Sequence, residues 1–159
     1  MMPQVLQLKQ KEKQNIMQSK LLNDTDQKTY AVILQSGEEV NENILLFARQ
    51  HKIKAAQFTA IGAVSKATLG FFDFSIKDYK KIEIHEQAEV LMLAGDISLF
   101  NNGPKVHAHI VLGKADGTAH GGHLLKATVH PTLEIILTES PAFLERKMDK
   151  ETGLPLIKI

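Results

Sequence analysis

Between Ala55 and Thr138 the chain passes from one apolar, β-branched run to the next with no helical stretch between them. Adjacent parallel strands need a crossover of about a dozen residues or more, usually a helix. The runs Ala55–Ile61, Ala67–Phe74, Lys80–His85, Glu89–Leu99, Val106–Leu112, Leu124–Val129 and Leu133–Thr138 lack such helices. They are expected to be mostly antiparallel. In Lys80–His85, Ile82 and Ile84 alternate with Lys81, Glu83 and His85, the pattern of a half-exposed strand. Tyr30–Leu34 reads as an earlier strand and Leu154–Ile157 as a short last one. A single main helix is expected over Glu38–Gln50, where Val40, Ile44, Leu45, Phe47 and Ala48 form an apolar stripe. Glu38 and Glu39 stand near its positive end and Arg49 near its negative end. The fold class is therefore α+β, a mostly antiparallel sheet with one main helix, and a doubly wound architecture is excluded.

A chain of 159 residues with 43% apolar content suits one domain and one core. The domain is expected over 29–159. Residues 1–28 are expected as a flexible leader, since the Gln- and Lys-rich run 7–14 has little to bury. Leu6, Ile16, Met17, Leu21 and Leu22 offer at most a short helix there. A DNA-contacting arm is the sharper reading, but five lysines against three acids give it little charge. A net charge of +1 does not point to nucleic acid either. The leader has no apolar signal core and no run reaches a membrane span, so a cytoplasmic protein without a membrane partner is expected.

With no cysteine, disulfides and thiolate metal sites are excluded, leaving His, Asp and Glu as the strong metal ligands. Val106–Gly113 and Gly121–Leu125 bring His107, His109 and His123 into one hairpin-like segment. His107 and His109 are two apart, so on a strand they face the same way, while Ala108 faces the other. Asp116–Gly117 is a turn signal. A three-residue loop over Ala115–Gly117 pairs Lys114 with Thr118 and places His109 opposite His123. The three imidazoles then share a face and are expected to bind a divalent metal, zinc first, with nickel, copper or iron also suited. The competing reading makes them hydrogen-bonded residues at a polar seam between subunits. His120 is an additional candidate ligand, His130 a strand-end residue, and His51 and His85 surface residues.

The blocks Phe58–Ser65, Leu69–Phe74, Glu89–Leu99, Pro104–Gly113, Gly121–Leu125 and Pro131–Leu137 resemble the PPC domain family. That family is shared by small prokaryotic proteins and plant AT-hook nuclear proteins. The resemblance covers about four-fifths of the chain. It implies a compact α+β subunit, a homotrimer, and a stand-alone prokaryotic member described as DNA-binding. It also implies that the His-X-His and Gly-Gly-His residues, His107, His109 and His123, form a metal site. The AT-hook core Arg-Gly-Arg-Pro of plant members is absent.

Asp96 and Glu134 lie in apolar strands and are expected either to orient metal-bound imidazoles or act as a base, or else to be ordinary paired or exposed carboxylates. Gly62, Gly70, Gly95 and Gly113 are expected at turns or close strand approaches, since no Walker or Rossmann spacing accompanies them. No nucleophile elbow is present. Two functional classes follow: a metal-binding, homotrimeric binding or regulatory module associated with DNA, and a metal-dependent enzyme acting on an unidentified small molecule.

Overall fold

Alternation of apolar and polar side chains sets the inner face of every long strand. The computed structural model describes residues 17–159. In β2 (Thr29–Gln35), Tyr30, Val32 and Leu34 are buried while their neighbours are partly exposed. This strand pairs antiparallel with the second half of β7 (Ala119–Glu139), where Leu133, Ile135 and Leu137 are buried. Fully burying each such side chain contributes about 1.5–3 kcal/mol.

β7 also pairs antiparallel with β3 (Ala56–Asp73). β3 pairs with β5 (Ala88–Phe100), and β5 with β6 (Gly103–Gly113). β6 then returns to the first half of β7, so the circuit β3, β5, β6, β7 closes on itself. β4 (Asp78–Ile84) folds back on the distal half of β3. Two short strands, β8 (Glu145–Met148) and β9 (Pro155–Lys158), form a final hairpin that joins β5 through the parallel pair Leu99 and Glu145. The nine strands among the described residues are thus mostly antiparallel, as expected.

The helix α1 (Val40–Gln50) buries Val40, Ile44, Phe47 and Ala48 against the inner side of the sheet. Its N-cap Glu39 accepts from the Glu42 amide at 2.7 Å and from the Ala127 amide of β7 at 3.0 Å. One carboxylate thereby satisfies a free helix-end donor and anchors the helix on the sheet. Asn41 adds a bond to the Leu124 carbonyl at 3.1 Å. Phe47 meets Tyr30 edge-to-face at 5.2 Å. Among the described residues no helix is long and apolar enough to cross a membrane.

The structure departs from the sequence reading in four places. β3 is one strand rather than two, because Gly62 adopts a φ of +150° and lets the chain continue through a bulge. β7 is likewise continuous through Pro131. Between the pairs Gly62–Leu133 and Val64–Val129, β7 carries more residues than β3, and the missing proline N–H falls within that bulge. The strand β8 is not apparent from periodicity, since four residues carry too little pattern. Finally, residues 18–23 of the expected leader form β1 (Gln18–Asn23), paired antiparallel with β2, so the sheet begins before Thr29. Leu21 and Leu22 are exposed on this edge strand, which explains why no alternation marked it. The Met17 amide donates to Glu38 at 2.9 Å. Leu6 and Ile16 lie outside the described residues.

Candidate metal centre

The turn between β6 and β7 has the expected register. The Lys114 amide donates to the Thr118 carbonyl and the Gly117 amide to the Lys114 carbonyl, each at 2.9 Å. Gly117 takes the left-handed φ of +82° that closes the loop. Asp116 accepts from the Thr118 amide and hydroxyl, which holds its carboxyl below the usual carboxylate range. From there the ladder runs Gly113–Ala119, Val111–Gly121 and His109–His123. Each histidine is also fixed from its other side, His109 opposite Ala94 of β5 and His123 opposite Gly70 of β3.

His107, His109 and His123 converge on the outer face of the sheet, each offering a ring nitrogen within 4.8 Å of the other two. The His107 and His123 rings stack at 5.2 Å, and His109 stands edge-on to both, at 5.1 and 5.4 Å. Nitrogens bound tetrahedrally at 2.0–2.1 Å to one ion lie roughly 3.4 Å apart. Small side-chain rotations therefore bring this cluster to a common centre. His123 stacks on Tyr79 at 4.7 Å, and its Nδ1 is buried without a hydrogen-bond partner. A buried polar atom left so costs about 1–3 kcal/mol, which a ligand bond at the cluster offsets. The donor set thus fits a divalent ion.

The electrostatics favour neutral imidazoles. Burial, then the neighbouring His107, His109 and Lys105, push His123 down to about 4. Burial and His107 also lower His109. At neutral pH these two rings keep the lone pair that coordination needs.

Asp96 stands behind His107, its Oδ2 3.4 Å from Nδ1. In the tautomer that donates Nδ1–H to this carboxylate, Nε2 is left free as a ligand. Burial pushes the Asp96 carboxyl up, but hydrogen bonds from His107 and Arg146, with the Arg146 charge, outweigh it and hold it below its usual value. Arg146 is buried. It donates through Nη2 to both Asp96 oxygens at 2.7 and 2.8 Å, through Nε to Ser98 at 2.7 Å, and through Nη1 to the Pro155 carbonyl at 2.9 Å. Arg146 was not anticipated from sequence. Its only signal there is that it is one of two arginines in the chain, set beside the apolar Phe143 and Leu144.

Other candidates fall away from the cluster. Glu134 is exposed and pairs with Ile33 and Ile61, away from the histidines, and so follows the second of its two expected readings, an ordinary exposed carboxylate. His120 pairs with Leu112 and so lies on the face opposite His109 and His123. His130 bonds Ser36 at 2.6 Å, His51 stacks on Phe47, and His85 is exposed.

Against known proteins, the model of the Plants and Prokaryotes Conserved (PCC) domain matches residues 22–141. Bifunctional protein GlmU from Synechococcus is 33% identical over 129 residues, or 79% of this chain. The chain spans about a fifth of the length of the curated relatives it matches. A metal-containing protein from Archaeoglobus fulgidus superposes with a TM-score of 0.77 at 33% identity, covering 91% of this chain and 99% of that one. A protein from Bacteroides thetaiotaomicron, provisionally named DNA-binding, gives 0.84 at 27% identity, covering 91% and 98%.

Proposed function

The chain belongs to the Plants and Prokaryotes Conserved domain family, and on that premise we propose that it is a metal-binding, homotrimeric binding module whose divalent ion, zinc first, is held by His107, His109 and His123. The observation that carries this reading is the convergence of three imidazoles, one with an unpartnered buried nitrogen. The similar Archaeoglobus fulgidus protein, described as metal-containing, supports it. Held there by His107, His109 and His123, the ion would supply Lewis-acid chemistry. The chain's own part is to keep His109 and His123 uncharged and to hold His107 in place through Asp96 and Arg146.

Self-association is supported by the outer sheet face. Ile61, Met92, Val111 and Ile136 are each 39–58% exposed on the adjoining strands β3, β5, β6 and β7, beside His109. A contiguous apolar patch of this kind is characteristic of an interface. DNA is the partner suggested by the name of the Bacteroides thetaiotaomicron protein. It predicts salt-sensitive duplex binding, and no binding at low salt removes it.

The deciding experiment is elemental analysis of untagged protein after incubation with zinc, beside His109→Ala. Near-stoichiometric zinc that the substitution abolishes is expected. Protein that takes up no metal refutes the reading and returns the histidines to a subunit seam.

A further inference from the structure

A half-enclosed cleft of about 220 Å³ opens beside the cluster, with His107 and His123 on one side. We propose that it binds a short-chain monocarboxylate, its carboxylate held between Lys105 and the metal and its carbon body lying on Leu154, Pro155, Leu156 and Tyr79. The proposal rests on the metal reading above and specifies the ligand class of that site.

Charge is the first argument. A ligand set of histidines alone brings no negative charge to a divalent ion, since no carboxylate is among the ligands. Arg146, which also lines the cleft, is already neutralised by Asp96. Lys105 is not. Among the described residues no carboxylate lies within ion-pair distance of it, and its ammonium rests 5.7 Å from the centre of the Phe100 ring. With the ion bound, the cleft therefore carries a net positive charge with an ammonium donor in its lining, the setting for an anion.

Shape is the second. At about 30 Å³ per water molecule, 220 Å³ holds about seven waters, so the cleft suits a ligand of roughly six to ten non-hydrogen atoms. A nucleotide would extend far beyond it. The lining by Leu154, Pro155 and Leu156 is apolar, and it is fixed, because Arg146 bonds the Pro155 carbonyl while β8 pairs with β9. A small inorganic anion leaves this wall wet. A carboxylate with a short carbon chain covers it.

The test uses the full chain incubated with zinc, with zinc content measured on the same sample. Butyrate is titrated against it by isothermal calorimetry and by amide chemical shifts, with n-butanol and inorganic phosphate as probes lacking the charge or the chain. Butyrate is expected to bind at least tenfold more tightly than either and to shift the amides of Lys105, Tyr79 and Leu156. Lys105→Gln is expected to weaken butyrate about tenfold with zinc content unchanged. Zinc-loaded protein that treats the three probes alike, or ignores the Lys105 change, overturns the carboxylate assignment and leaves the metal site standing. Protein that takes up no zinc overturns both.

Discussion

Removing the Asp96 carboxylate tests how the final hairpin is held to the sheet. The Arg146 side chain is 6% exposed and Asp96 28%, with contacts of 2.7 and 2.8 Å. Losing one partner of a fully buried ion pair costs about 3–5 kcal/mol, because the other charge stays buried. Asp96 still reaches water, which screens part of the interaction, so Asp96→Ala is expected to cost roughly 2–3 kcal/mol. Arg146→Met leaves the more exposed charge and removes the buried one. Its cost is expected at about 1–2 kcal/mol, from the lost hydrogen bonds to Ser98 and Pro155. The double variant should then cost at least ~1 kcal/mol less than the sum of the two. Urea unfolding followed by far-ultraviolet circular dichroism, in chelator and at one subunit concentration, reads all three. An Asp96→Ala change within ~0.5 kcal/mol of the parent, or strict additivity, refutes the account.

Gly62→Ala places a Cβ 2.3 Å from the Thr132 carbonyl oxygen and 2.8 Å from the Leu133 Cα, at a φ of +150°. It should cost at least ~2 kcal/mol, seen as a fall in Tm, and an unchanged Tm contradicts the bulge geometry. Gly117→Asn, at φ +82° with nothing within 4 Å of its Cβ, should cost no more than about 1 kcal/mol by the same measurement. Hydrogen bonds from Lys80 and Ser75 hold the Asp73 carboxyl well below its usual 3.8. A depressed acid stabilises above its unfolded value and loses that contribution as pH falls through its folded value. The Ser75 amide resonance should therefore stay constant until pH drops below about 4, and Asp73→Asn should abolish the later shift. Ile136→Lys puts a charge in the exposed apolar face, and light scattering should report a smaller assembly than the parent's. An unchanged mass removes that face from the interface.

The sequence exposed those features whose signal is local and periodic. That His109 faces His123 could be read because an Asp-Gly turn and an alternating strand reveal the register, and both can be counted along the chain. The α1 stripe was legible for the same reason, although the helix begins at Val40, once Glu39 is used as its cap. Gly62 and Pro131 misled because each is a strand breaker in isolation, whereas here each occupies a bulge that only the neighbouring strand defines. Arg146 was illegible because its partners Asp96 and Ser98 lie about fifty positions away, and β8 is too short to announce itself. The cleft could not be read for the same reason: Tyr79, Lys105 and Leu156 meet only through the fold.

Closure of the strand circuit changes what the β6–β7 turn is for. His109 is held by β5 and His123 by β3, so neither depends on the three loop residues to stay opposite the other. The loop is an exposed tip outside the ring that fixes the histidines. A cut or an inserted peptide at 115–117 would leave the imidazole cluster assembled. The tip is consequently a natural port, where a reporter or an affinity handle can be mounted near the site while the strands keep its geometry.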